Sequence, residues 1–219
     1  MRKLFENSKQ AILMTLTMFI LCGLIYPFAV TALAQGLFHH QANGSLLEVN
    51  DTTVGSELIG QSFSTPEFFW GRVSSINYNT YTQKDIVPDK NGQLNYSGVS
   101  SGSFNYAPSN PELENRIETD IKKFLLANPT VKRQDIPADL MTASGSGLDP
   151  HISVKAAQIQ VKRIAQASGL TGEVLEKIIV ENTEKRTFGI FGENKVNVLM
   201  ANLDIMKKME VNNSKSDDS

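Results

Sequence analysis

Residues 141–153, MTASGSGLDPHIS, gather Ser144, Ser146, Asp149 and His151 around Gly145 and Gly147. Serine, histidine and aspartate are the side chains of nucleophilic acyl transfer, in which a base activates the hydroxyl and a third group orients the base. The spacing does not carry that chemistry through. The nucleophile elbow G-x-S-x-G is absent, because Ser144 and Leu148 flank Ser146 where that pattern requires glycines. A structural reading fits the stretch better: Gly145 and Gly147 turn the chain, Pro150 fixes it, and Ser153 caps a following helix. An exported serine hydrolase using Ser146 and His151 stands as the competing reading. Elsewhere, Gly145-x-Gly147 lacks the third glycine of a dinucleotide loop, and no Walker A sequence occurs. His39-His40 has no obvious third metal ligand nearby. Arg72, Lys185 and Arg186 read as solvated or ion-paired. No catalytic residue, metal site or directly bound cofactor is assigned.

The elements that would position this stretch follow from composition. The 219 residues suffice for one globular domain plus an anchoring segment, and 41% hydrophobic against 20% charged residues can bury a core. A net charge of −2 leaves no basic footprint for nucleic acid. Cys22 is the single cysteine, so neither an internal disulfide nor a Cys-based metal site can form. Between Lys9 and Glu48 there is no Asp, Glu, Lys or Arg. Residues 11–34 form its apolar heart, and about 20 helical residues cross a hydrocarbon core roughly 30 Å thick. Pro27 is expected to kink or end the regular helix beside Tyr26, a residue type common at the membrane interface.

A cleaved signal peptide is the alternative, since Arg2, Lys3 and Lys9 make a basic start and Ala32-Leu33-Ala34 precedes Gln35. The apolar run is longer than a signal peptide requires, which favours a retained anchor. Orientation is the same either way. Three basic residues precede the span and the next is Arg72, so the basic tail, residues 1–10, stays in the cytoplasm and the remainder is exported. Residues 39–219 carry 18 basic and 22 acidic side chains, a net of −4.

The exported part reads as α+β, a single mixed domain over residues 35–206. Residues 39–110 hold short apolar pieces, LIGQSF and FFWGRV, that read as strands, followed by a loop-like stretch at 79–108. Asn110-Pro111-Glu112 starts a helix whose stripe is Leu113, Ile117, Ile121, Phe124 and Leu125, and Asn128-Pro129 stops it. A second helix follows Ser153 and ends at Gly169; a third starts at Thr171. After Gly192 the pattern fits a strand through Val196, Val198 and Met200, or a helix through Val196, Leu199, Leu203 and Met206. Residues 207–219 read as a disordered polar tail.

Residues 141–153, continued by Ala156-Ala157 and Gln160-Val161, closely resemble the signature of the C subunit of Kdp-type potassium-transporting P-type ATPases. So do Gly60-Gln61-Ser62-Phe63, Phe69-Trp70-Gly71-Arg72, Pro108-Ser109-Asn110-Pro111 and the closing stretches around Thr183-Glu184 and Val196-Asn197-Val198-Leu199. Two features depart from that pattern: an insertion between Asn79 and Val99, and Lys185 where glycine is common. The resemblance implies a retained anchor in the cell inner membrane, with the main domain on the outer, periplasmic side. It implies Ser144, Gly145, Gly147, Asp149, Pro150 and His151 as family-motif residues with a structural role. It further implies a non-catalytic accessory subunit that supports assembly and raises the ATP affinity of a catalytic partner. The implied partners are a P-type ATPase subunit, a channel-like potassium-binding subunit and a small fourth peptide; ATP and potassium are handled there. Asp89-Lys90-Asn91-Gly92 is close to the phosphorylation-loop opening of such ATPases, but it lacks the threonine and reads as a β-turn.

Overall fold

The computed structural model describes residues 2–82, 84–94 and 98–217. Met1 of the basic tail, parts of the loop at 79–108, and Asp218 and Ser219 of the polar tail lie outside the described residues. The chain divides into two compact units, Met1–Ser56 and Glu57–Ser219.

The first unit begins with one long helix. Helix α1 (Arg2–Ile20) passes through a π-helical turn at Leu21–Ile25 into α2 (Tyr26–Leu37). Pro27 does not end the helix; it sits at the start of α2, just after the π turn. A π turn is one way to absorb a proline, which lacks an N–H and crowds the preceding carbonyls. The helical stretch Glu6–Leu37 spans 32 residues and holds an 18-residue segment of mean hydropathy 2.1, none of it buried, long and apolar enough to cross a membrane. A short α3 (His39–Ala42) leads into the antiparallel hairpin of β1 (Leu46–Val49) and β2 (Thr52–Ser56). Asn50 and Asp51 turn the hairpin at φ 51° and 59°, which short polar side chains tolerate best after glycine.

In the second unit, Asn110 caps α4 (Pro111–Ala127) by accepting from Glu112 N, as its sequence requires. A 3₁₀ turn at Arg133–Asp135 and α5 (Ala138–Met141) lead to the glycine-rich stretch and β3 (His151–Ser153). Ser153 caps α6 (Val154–Gln158), and α7 (Val161–Ser168) ends on Gly169 at φ 72°. Thr171 caps α8 (Gly172–Glu181), which runs into β4 (Thr183–Glu184). The ambiguous segment after Gly192 is both structures in turn: β5 (Lys195–Asn197), then α9 (Val198–Asp217). Helix α9 continues through residues 207–217, where the sequence reads as a polar tail. Lys207, Lys208, Met209 and Glu210 are good helix formers with no Gly or Pro to stop them. The sheet order is β3-β5-β4, all antiparallel, with Ile152 opposite Val196 and Thr183 opposite Val196 on the other side. Ile152, Val196, Ile164, Leu175, Ile178 and Ile205 form its buried centre.

The apolar pieces LIGQSF and FFWGRV form no strand; residues 57–76 cross the core as irregular chain. Buried backbone must still be hydrogen-bonded. Here side chains replace the missing strand. Asn202 accepts from Phe69 N at 2.8 Å and donates to Phe69 O at 3.0 Å. Gln160 does the same for Trp70, accepting from its N at 2.9 Å and donating to its O at 3.2 Å. Both carboxamides are fully buried. Replacing one by an apolar residue strands a buried N–H and C=O together, each costing about 1–3 kcal/mol. Asn202→Leu is therefore expected to lower unfolding stability by about 2–4 kcal/mol in denaturant titration followed by Trp70 emission. A loss under about 1 kcal/mol would refute the clamp.

Candidate functional site

The glycine-rich stretch folds as a compact turn whose polar groups are occupied locally. Ser144 is buried, and its Oγ accepts from Gly147 N at 2.8 Å. Ser146 Oγ accepts from Leu148 N at 3.1 Å, and its carbonyl accepts from Gly102 N at 2.8 Å. Both hydroxyls thus act as turn-forming acceptors. Gly145 has φ outside the left-handed region and open space where a Cβ would stand. Gly147 differs: at φ 69°, an added Cβ would lie 2.7 Å from Ile76 Cγ1 and 2.9 Å from Gly102 O. Gly60 is as constrained, its Cβ position falling 2.6 Å from Tyr78 Cε1 and 2.8 Å from Asp149 O. Pro150 is buried, and its carbonyl accepts from Val198 N at 2.8 Å, joining the turn to the start of α9.

Asp149 and His151 point into an ionic network instead of towards a serine. Arg72 Nη1 donates to Asp149 Oδ2 at 2.8 Å, and His151 N donates to Asp149 Oδ1 at 3.0 Å. His151 Nδ1 lies 3.3 Å from Asp149 Oδ1, and its Nε2 lies 2.7 Å from Glu184 Oε1 on β4. Lys195 Nζ, on β5, completes the chain 3.0 Å from Glu184 Oε2. No hydrogen bond among the described residues joins Ser146 to His151, so the hydrolase arrangement is not formed. Tyr78 OH donates to Arg72 O at 2.8 Å and lies against Gly60 and Gly71. Arg72 and Tyr78 also line a cleft of about 210 Å³ with Trp70, Lys123 and Ser62.

The network holds its charges. Burial opposes ionisation of Asp149, but the side-chain and backbone hydrogen bonds from His151, then Arg72, hold its carboxyl at about 2. Burial disfavours the His151 cation, and the bonds to Asp149 and Glu184 outweigh it, raising its pKa above the ordinary histidine value. Glu184 is lowered against its own burial by His151 and Lys195. Burial, with the nearby Asp149 charge, pushes Tyr78 up to about 12, so it stays a neutral donor.

Arg72, which the sequence leaves as solvated or ion-paired, pairs with Asp149; Tyr78 and Lys195 carried no signal that joins them to the motif, and Glu184 entered only through the family resemblance. Glu184 and Lys195 meet His151 only through the register His151↔Asn197 and Glu184↔Lys195. Lys185 is exposed, while Arg186 Nη2 pairs with Glu193 Oε2 at 2.5 Å. Asp89 forms the expected turn, accepting from Gly92 N at 3.0 Å.

These features define a protein with an N-terminal helix long and apolar enough to cross a membrane and a helix-and-sheet domain built around an internally satisfied polar turn. Comparison with known proteins agrees. The family model described as "K+-transporting ATPase, c chain" matches residues 8–207. A Clostridioides difficile protein named potassium-transporting ATPase KdpC subunit is 57% identical over 202 residues, covering 92% of this chain and 97% of that one. The Clostridium kluyveri protein of the same name is 49% identical, covering 98% of this chain and all of the relative. The Caldanaerobacter subterraneus protein is 46% identical over 94% of this chain. The chain belongs to the K+-transporting ATPase c-chain family.

Two outcomes test the site. Gly147→Val is expected to cost about 1–3 kcal/mol of stability through overpacking and a left-handed backbone, while Gly145→Ala leaves the denaturation midpoint unchanged. Equal effects at the two positions would refute the turn geometry. Second, His151 has a raised folded pKa, so its contribution is complete below its unfolded value near 6.5 and is lost as pH rises through the folded one. Melting temperature should therefore fall from pH 6 to pH 8, and His151→Gln should flatten that slope. The Asp149 contribution disappears in the opposite direction, as pH falls from about 4 towards about 2.

Proposed function

We propose that the chain is a non-catalytic accessory subunit of a high-affinity, ATP-driven potassium uptake complex. It supports assembly and raises the ATP affinity of a P-type catalytic subunit. Its other partners are a channel-like potassium-binding subunit and a small fourth peptide. The observation that carries this reading is the occupied turn: Ser144, Ser146, Asp149 and His151 each serve neighbouring backbone or ion partners, in a chain of the potassium-transporting ATPase family. That arrangement offers a rigid shape to another protein and no activated nucleophile to a substrate.

Topology shapes the ATP effect. With basic residues Arg2, Lys3 and Lys9 ahead of the span and Arg72 the next after it, residues 1–10 lie in the cytoplasm and the folded domain lies outside. A basic tail without a glycine loop cannot enclose a nucleotide. The ATP effect is then indirect: the subunit binds the nucleotide-competent state of its partner more tightly, a coupling of typically ~1–3 kcal/mol.

Calorimetry on the full chain in detergent should show no ATP binding at millimolar nucleotide, while the assembled complex should need roughly 5–150-fold more ATP for half-maximal hydrolysis when the chain is withheld. Saturable ATP binding to the chain alone would sink the indirect mechanism. Thiol labelling should find residues 39–219 outside, and intact mass should begin before Gln35. Ser146→Ala should retain potassium transport; its loss with the complex intact would favour the hydrolase reading.

A further inference from the structure

Two Asn-Gly steps occur in the chain, Asn43-Gly44 and Asn91-Gly92, and they form a matched pair. Asparagine before glycine is chemically labile: glycine has no side chain to hinder its amide nitrogen, which can reach the preceding carboxamide carbon. All four residues are exposed. Both glycines are left-handed, Gly44 at φ 88° and Gly92 at φ 76°, with open space where a Cβ would stand. Their N–H groups are held alike, Gly44 N donating to Gln41 O and Gly92 N to Asp89 O, each at 3.0 Å. Attack by either nitrogen must first release that bond, so these backbone features do not separate the two steps. The side chains do. Asn43 Nδ2 donates to His39 O at 2.8 Å and to Gln35 Oε1 at 3.3 Å, and Gln35 Nε2 donates to Asn43 Oδ1 at 3.3 Å. The Asn91 carboxamide has no hydrogen bond among the described residues, while its backbone N donates to Asp89 Oδ1 at 2.8 Å.

We propose that Asn91 is a site of spontaneous deamidation and that Asn43 is protected from it by its carboxamide contacts. The step balances with water alone. Gly92 N gives its proton to hydroxide and attacks Asn91 Cγ; the N–Cγ bond forms, the Cγ–Nδ2 bond breaks, and Nδ2 leaves as ammonia after taking a proton from water. Water then opens the succinimide ring at either carbonyl. Breaking N–Cγ leaves aspartate at position 91. Breaking the bond between the Asn91 main-chain carbonyl carbon and Gly92 N leaves isoaspartate, with the chain rerouted through the side chain. Nothing is oxidised or reduced; the net reaction adds water and loses ammonia. Either product carries a new carboxylate, making residues 39–219 one charge more negative than −4. The turn feels this directly, because Asp89 Oδ1 already accepts from Asn91 N and Gln93 N, at 2.8 Å each, and like charges repel. The domain below is insulated from it. Asn79 closes the base of the insertion, its Nδ2 donating to Ser100 O at 2.9 Å and its Oδ1 accepting from Ser100 N at 3.0 Å. The modification therefore changes the charge of the insertion as the chain ages and leaves the fold intact.

The test incubates the full chain in detergent at mildly alkaline pH in heavy-oxygen water, then digests it in ordinary water and locates the label by peptide fragmentation. Heavy oxygen should enter position 91. Conversion at Asn91 should run about tenfold or more faster than at Asn43, the weight of roughly one hydrogen bond that must break before the Asn43 carboxamide can turn. Equal rates at the two steps, or faster conversion at Asn43, would overturn the proposal. So would an unmodified Asn91 after a free peptide of residues 88–94 has converted under the same conditions. Isoelectric focusing gives a second reading: an acidic band should grow with time in the wild-type chain and be largely lost in Asn91→Gln, whose longer side chain closes the ring far more slowly. Equal growth of that band in the variant would place the chemistry elsewhere and sink the site. The melting temperature of the aged chain should match that of the fresh chain. A lowered value would refute the insulation of the domain by Asn79 and Ser100.

Discussion

Phe69 and Trp70 run through the core without a neighbouring strand, and the rest of the domain is arranged around satisfying their backbone. The carboxamides of Asn202 and Gln160 offer one acceptor and one donor each, which is what a strand would offer to the same residues. Gln160 is itself held: its Nε2 donates to Ala156 O and its Oε1 accepts from Arg163 Nη2 at 2.7 Å. Arg163 is nearly fully buried, and desolvation lowers its pKa to about 10, so it remains charged at neutral pH. Against that burial stand the charge of Glu67 and several neutral groups: Asn128 Oδ1, the carbonyls of Pro66 and Thr65, and the Trp70 ring, whose centroid lies 4.7 Å from the guanidinium carbon. One irregular segment thereby fixes α4 through Asn128, α7 through Arg163 and α9 through Asn202.

That clamp and the polar motif are mechanically joined. Three residues separate Phe69 from Val73, and among them Gly71 and Arg72 pass beneath Tyr78, whose hydroxyl holds Arg72 O while Arg72 holds Asp149. Gly60 is packed against both Tyr78 and the Asp149 carbonyl. Its N–H donates to Leu148 O at 2.8 Å, so the irregular segment is stitched directly to the turn. Displacing either side forces the other, because close-packed interiors transmit strain instead of absorbing it. The ionic chain from Arg72 through Asp149, His151 and Glu184 to Lys195 extends this coupling to β4 and β5. The alternation of charge along it explains how each partly buried ion keeps its charge.

What the sequence discloses follows the range of the interactions involved. The caps at Asn110, Ser153, Thr171 and the stop at Gly169 are local chemistry, and helices start or end at each of them, although the single helix expected between Ser153 and Gly169 is two, α6 and α7. The failures are non-local. LIGQSF and FFWGRV look like strands because apolar runs resemble strands; only the folded chain shows that carboxamides 90 and 133 residues away replace the ladder. The segment after Gly192 satisfied two periodicities because it is a three-residue strand followed at once by a helix, too short for either pattern alone to exclude the other. In the motif, Gly147 is legible as a turn residue. Gly60 is not, since its constraint comes from Tyr78 and Asp149 in other segments. Buried Gln160 and Asn202 offered one usable hint: uncharged polar residues set among apolar positions, where an unpaired amide would be intolerable.

The residue types that first suggest catalysis are better explained by the demands of a tight turn. A chain that reverses through buried space must satisfy its own N–H groups, and short side chains with an oxygen acceptor do this at least steric cost. Ser144 serves Gly147 N, Ser146 serves Leu148 N and Asp149 serves His151 N, so the successive donors in the turn are met from within it. Once Asp149 must be ionised to do this in a half-buried place, a counter-charge becomes necessary, and Arg72 supplies it. His151 then finds a carboxylate on either side, Asp149 in the turn just before its strand and Glu184 across the sheet. The density of serine, aspartate and histidine is thus the outcome of successive satisfactions, beginning with backbone donors and ending with a fixed β4–β5 hairpin. A catalytic triad would require the opposite: a serine hydroxyl left free for its base, which neither serine in this turn provides.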